Sequence, residues 1–202
     1  MRSDTERNRR QLIRAAAELF ASSPGPVKMS DIAKAAEVST ATAYRQFASM
    51  EEILDAFRLD VGRKLQDFSK EQTTHGMAKV EAVSRHWVSL VLEHGGAMVG
   101  QRSRRGYLDR LWDGTEYLIP QADAVRGPLS ETAQELGLPD LGDESVFLWN
   151  LLFDPREILD LVNTVGLTEQ EVGTQLVSAL RGALIGWAET RGLEGGKKRS
   201  RE

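Results

Sequence analysis

With 202 residues, 41% of them hydrophobic, the chain is long enough for a packed core and for a small module beside a second domain or subdomain. The absence of cysteine excludes disulfides, thiolate catalysis and sulfur-ligated metals, and no apolar run of about eighteen residues is present to span a bilayer. The net charge of −4 is unevenly spread: residues 1–47 hold eight Lys/Arg against five Asp/Glu, 48–196 hold fourteen against twenty-four, and 197–202 hold four against one. A basic head on an acidic body is the asymmetry expected when one end meets phosphates.

The opening MRSDTERNRR lacks the apolar core of a secretion signal, so a cytoplasmic location is expected. Residues 1–9 are expected to fray, with Arg2, Arg7, Arg9 and Arg10 either solvated or forming an arm that reaches DNA. From Arg10 to Ala21, Leu12, Ile13, Ala16, Leu19 and Phe20 recur at helical spacing, and the run Ser22-Ser23-Pro24-Gly25-Pro26 ends that helix. Lys28 stands where a phosphate would approach the amino end of the next helix. Ser30 is the expected cap of that helix, with Met29, Ile32, Ala33 and Ala36 on one face. Glu37 and Val38 then form a turn, and Ser39 or Thr40 caps a further helix ending near Phe47. Ala43 and Phe47 lie four apart and face inward, which leaves Thr40, Ala41, Thr42, Tyr44, Arg45 and Gln46 outside. Short and multi-donor side chains of this kind suit a helix laid in the DNA major groove, with Arg45 as the long cation for a base edge and Tyr44 as a phosphate contact. A helical hairpin buried in an all-α domain has the same local pattern.

The stretch VKMSDIAKAAEVSTATAYRQFASMEEIL resembles the signature of the TetR family of bacterial transcription regulators, over roughly Arg10 to Leu54. Ile32, Ala33, Ala36, Val38, Ser39, Thr42, Tyr44 and Phe47 carry the resemblance. Two positions depart from the family pattern: Glu37 replaces a glycine suited to a left-handed turn, and Met50 replaces a lysine that contacts phosphate.

After the head, Glu51 to Lys70 is expected as a long connector helix carrying Ile53, Leu54, Phe57, Val61, Leu65 and Phe68, followed by a helix from Met77 to His94. Gly95, Gly96 and Gly100 loosen the next connection, and the arginines within 101–105 form a solvated face. Tyr107 to Trp112 begins a short helical piece that reaches its limit at Pro120, and 121–137 is small and polar with one possible helix face. Asp143 is expected to cap Val146 to Phe153, Asp154-Pro155 starts a helix that Gly166 ends, and Thr168 with Glu171 forms a capping box for the last helix. Residues 193–202 are expected to be a disordered basic tail. The expectation is therefore an all-α chain: a three-helix helix-turn-helix domain at 1–47 and a helical domain at 48–192 for ligand binding and dimerisation.

His75, His86 and His94 lack metal-ligand spacing, no nucleophile elbow or glycine-rich phosphate loop is present, and neither a cofactor nor enzymatic activity is expected. The body aromatics, among them Trp87, Trp112, Tyr117, Phe147 and Trp149, are either core or the lining of a small-molecule pocket, and the pocket is what the resemblance implies. Leu176, Ala179, Gly182, Ala183 and Trp187 give the last helix a face of small residues broken by larger ones. The resemblance implies that the two carboxy-terminal helices pair there with a second copy. The function so implied is a homodimeric repressor, released from a palindromic operator in double-stranded DNA by an effector. A helical small-molecule binding protein with a degenerate head is the alternative.

Overall fold

The computed structural model describes residues 2–22, 26–99 and 103–199, with side chains described from residue 4 to residue 191 within those ranges. Ten α-helices and one 3-10 turn follow one another, with no strand among the described residues: α1 Arg2–Ser22, α2 Met29–Ala35, α3 Thr40–Gln46, α4 Met50–Glu71, α5 Gly76–His94, the 3-10 turn Gly95–Met98, α6 Tyr107–Trp112, α7 Leu118–Glu135, α8 Asp143–Leu152, α9 Pro155–Asn163 and α10 Glu169–Arg199. The expected all-α architecture is the observed one. No helix among the described residues is long and apolar enough to cross a membrane.

The head comprises α1, α2 and α3, packed through Leu12, Ala16, Ile32, Ala33, Ala43 and Phe47. Helix α1 starts at Arg2, so residues 2–9, expected to fray, are helical, and residue 1 lies outside the described residues. Arg7 meets Asp4 at 3.3 Å within that extra helix, and Arg9 ties it to α3, its guanidinium carbon 4.2 Å from the Phe47 ring centroid. The expected breaker falls partly on residues 23–25, which lie outside the described residues.

Helix α4 leaves the head and enters the body, where it packs on α7, and α7 packs in turn on α5. Trp87 and Trp149 are buried at this centre with ring centroids 5.8 Å apart. Burial of an indole requires an acceptor for its N–H, and both have one: Trp87 Nε1 donates to the Phe153 carbonyl at 2.9 Å and Trp149 Nε1 to Ser84 Oγ at 2.9 Å. Around them α8, α9 and α10 close the body.

Several boundaries differ from expectation for identifiable reasons. Ser30 is inside α2, because Asp31 Oδ2 accepts the Lys28 backbone N–H at 3.0 Å and Lys28 takes the cap position two residues earlier. Pro120 does not end a helix; it occupies the first turn of α7, where backbone N–H groups have no partner to lose. Pro128 lies inside the same helix and deprives the Ala124 carbonyl of its partner four residues on. Ser69 of α4 supplies the replacement, its hydroxyl donating to Ala124 O at 2.7 Å. Asp143 is the first residue of α8, and Gly142, with φ +55°, precedes it as the cap position. Helix α10 continues to Arg199, through most of the stretch expected as a disordered tail, and 200–202 lie outside the described residues. No proline falls between Glu169 and Arg199 to interrupt it.

Head and body also meet away from α4. The Phe20 carbonyl of α1 lies so near Gly96 that a Cβ there would sit 2.8 Å from the oxygen.

Candidate nucleic-acid interface and ligand pocket

The helix-turn-helix is held by its own backbone. At the end of α2 the Val38 N–H bonds the Ala33 carbonyl at 3.0 Å and the Glu37 N–H bonds the Lys34 carbonyl at 3.1 Å, the paired closure of a Schellman turn. That turn demands a left-handed residue, and Glu37 takes φ +55°, alone among the described non-glycine residues in doing so. The next helix opens on Ser39, whose Oγ accepts the Thr42 N–H at 3.1 Å, which selects Ser39 over Thr40 as the cap. At its far end Arg9 Nη1 donates to the Gln46 carbonyl at 3.4 Å, so this arginine serves the helix end.

Of the expected DNA-facing residues, Lys28, Ser39, Thr40, Ala41, Tyr44 and Arg45 are exposed, Tyr44 to 57%, while Thr42 and Gln46 are half-buried. Arg45 Nη2 donates to Thr42 Oγ1 at 2.8 Å, which lays the guanidinium along the exposed face of α3. Met50 begins α4 and packs half-buried against the core, in keeping with its departure from a phosphate-binding lysine. Ser49 caps α4 by accepting the Glu52 N–H at 3.2 Å, a contact that S-x-x-E spacing could have signalled.

In the body, a pocket of about 490 Å³ opens between α4, α6, the start of α7, and the α8–α9 connection. Trp87 and Tyr117 both line it. The other expected aromatics stand elsewhere. Trp112 is 70% exposed and donates to Asp143 Oδ2 at 2.8 Å, which helps to hold that carboxyl below its usual range. Trp149 is core, and Phe147 stacks on Trp187 with centroids 6.0 Å apart, joining α8 to α10.

Sequence reasoning missed the polar half of the lining, which includes Arg58, Arg110, Gln121 and Asn150. A signal was present for Arg58: it falls four residues after Leu54 and three before Val61, on the buried stripe of α4. Burial of a guanidinium is costly without partners, and Arg58 has Glu51 Oε1 at 2.8 Å and Asp55 Oδ1 at 2.7 Å. Desolvation nevertheless raises the Asp55 carboxyl above its ordinary value, against the pull of Arg58.

Helix α10 presents two faces. Val172, Leu180 and Leu184 are buried against the body, whereas Ala179 and Gly182 are exposed, Leu176 and Ala183 are half-buried, and Trp187 is 39% exposed. A Cβ added at Gly182 or Gly186 would meet no atom within 4 Å. Two histidines are structural neighbours of aromatics: His86 stacks on Phe68 at 4.0 Å and His94 meets the Phe57 ring edge-on at 5.0 Å, while His75 stands 3.9 Å from Glu131. No metal-binding cluster of His, Asp or Glu occurs among the described residues.

Residues 12–57 match the family model described as bacterial regulatory proteins, tetR family. No curated protein matches the sequence. Among solved structures, a tetR-family transcriptional regulator from Streptomyces coelicolor shares 20% identity and superposes with a TM-score of 0.61, covering 93% of this chain and 86% of that one. The regulator FadR from Bacillus subtilis, solved in complex with stearoyl-CoA, is 21% identical with a TM-score of 0.61 over 85% of this chain and 96% of that one. AmtR from Mycobacterium smegmatis is 21% identical with a TM-score of 0.51 over 85% of each chain. Residues 12–57 are thus similar to the bacterial regulatory proteins of the tetR family, and the fold along most of the chain is shared with a tetR-family regulator.

Proposed function

We propose that the protein is a homodimeric DNA-binding regulator, a repressor that a small-molecule effector releases from a palindromic operator. The observation that carries the reading is α3, a rigidly capped helix whose exposed face offers Thr40, Ala41, Tyr44 and Arg45 to a groove. Dimerisation is supported by the open small-residue face of α10, since one head covers too few bases for selectivity and twofold symmetry supplies a second half-site. An effector is supported by the body pocket and by FadR, whose structure of the same fold holds stearoyl-CoA. Glu37, which adds an exposed carboxylate at the turn, favours the second reading of a small-molecule binding protein whose head no longer engages DNA.

Selection of duplexes from a random library by the purified protein separates the two. Enrichment of a palindrome, bound with an affinity that falls steeply as salt rises, is the expected result. Arg45→Ala should then weaken binding to the selected duplex by about 1–3 kcal/mol and relax one position of the motif. Failure to enrich any duplex leaves only the binding-protein reading.

A further inference from the structure

Of the three arginines that line the body pocket, Arg58 and Arg110 each keep one buried donor without an acceptor among the described residues. Arg58 is only 4% exposed. Its Nη1 is shared by Glu51 and Asp55 and its Nη2 donates to the Val99 carbonyl at 3.3 Å, but its Nε has no partner among the described residues. Arg110, from α6, donates through Nη1 to Tyr117 Oη at 2.7 Å, and its Nε is likewise buried and without an acceptor among them. Tyr117 links the pair: its hydroxyl accepts from Arg110 while its ring lies 6.0 Å from the guanidinium carbon of Arg58. A guanidinium stays protonated at any physiological pH, so burial cannot be relieved by proton loss. An unmet donor on a buried cation is expensive, and an oxyanion is the group that satisfies it most strongly.

Two acidic residues, Asp154 and Glu157, also line the pocket, and the carboxylates beside Arg58 are engaged. Glu51 and Asp55 hold the Nη1 edge of Arg58, and Asp154 at the pocket rim accepts the Arg156 N–H at 2.8 Å as the cap of α9. Trp87, Met98, Leu118 and Leu151 supply an apolar wall to the same space. The volume of about 490 Å³ is that of an ordinary small-ligand site.

We propose that this pocket binds a small organic anion, its carboxylate or phosphate head held by Arg58, Arg110 and the Tyr117 hydroxyl, and its apolar part set against Trp87, Met98 and Leu118. The inference names the chemical class of the effector and so rests on the ligand-responsive reading above. It also supplies a route to the head. Arg58 ties together Glu51 and Asp55, in the first two turns of α4, and the chain reaches α4 directly from α3 through residues 47–49. An anion that draws the guanidinium toward the pocket competes with those carboxylates and loosens the start of α4. DNA and anion therefore oppose each other, and by linkage each weakens the other by the same factor.

The test uses the full-length protein with decanoate, decyl phosphate and decanol, each below its aggregation concentration, followed by calorimetry and by tryptophan fluorescence. At least one of the two anions should bind about tenfold or more tighter than decanol, and the stronger of them identifies the head group. Arg110→Gln and Tyr117→Phe should each reduce anion affinity with little effect on decanol. Arg58→Lys, which keeps a cation for Glu51 and Asp55 but loses the Nε edge, should abolish the preference for anions while thermal unfolding reports that the variant is folded. Equal binding of decanol and both anions, binding of none of the three, or an anion preference intact in all three variants would overturn the proposal. Anion binding that leaves a selected duplex bound would sustain the site and remove the release mechanism.

Discussion

Replacement of Ser69 by alanine isolates a contact on which the seating of α7 against α4 depends. The Ser69 hydroxyl donates at 2.7 Å to the Ala124 carbonyl, which Pro128 has left without its helical partner, and Ser69 is itself buried. Loss of the hydroxyl strands a buried carbonyl, at a cost of about 1–3 kcal/mol. For a chain of this length that corresponds to a fall in unfolding temperature of roughly 2–4 °C per kcal/mol. The cost should depend on Pro128. With Pro128→Ala in place, residue 128 regains a backbone N–H four positions after Ala124 and supplies the missing bond. Ser69→Ala in that background should cost less than about 0.5 kcal/mol, giving a coupling of about 0.5 kcal/mol or more between two residues that do not themselves bond. Thermal or urea unfolding of the four proteins in the cycle measures it. Equal costs in both backgrounds would show that the carbonyl, and hence the proline, has no part in the stability of this contact.

Glu37→Gly should raise stability by about 1 kcal/mol, because a left-handed φ of +55° is strained for a side chain and unstrained for glycine; an unchanged denaturation midpoint would contradict this. Gly182→Glu meets open space within one protomer, so helicity should be retained while sedimentation reports monomers; a dimer of undiminished affinity would move the interface elsewhere. Burial lowers the pKa of His94 below its ordinary 6.5, and the folded state therefore binds fewer protons than the unfolded one as the pH falls. Its contribution to stability is present above about pH 6.5 and is lost as the pH drops through the folded value, so His94→Gln should flatten the decline in unfolding temperature between about pH 7 and pH 5.

Local signals were legible where the chain satisfies itself within a few residues. Ser39, Asp154 and the Thr168–Glu171 pair cap their helices as their spacing implies, with Thr168 N–H to Glu171 Oε2 at 2.8 Å and Arg156 N–H to Asp154 Oδ1 at 2.8 Å. Pro128 could not be read this way, since the group that makes it tolerable is Ser69, far away in the chain. The same limit applied to the pocket. Aromatic composition offered Trp87, Tyr117 and Trp149 alike; Trp87 and Trp149 are equally buried, and only Trp87 and Tyr117 line the pocket. Arg58 was the more telling residue, a charge on an apolar stripe, and its meaning emerges only when Arg110 and Tyr117 arrive from α6 and the α6–α7 connection.

The close approach of Gly96 to the Phe20 carbonyl bears on how interchangeable such heads are. Grafting a foreign DNA-reading domain onto this body is simplest to imagine as a splice after Phe47, behind the last residue of the helix-turn-helix. The seam lies elsewhere: a donor head must present a backbone oxygen that tolerates only glycine opposite it, and the recipient must keep its 3-10 turn unmodified. Chimeras that carry α1 and residues 95–98 together from one parent should therefore fold, while those that cut between them inherit mismatched surfaces at this contact.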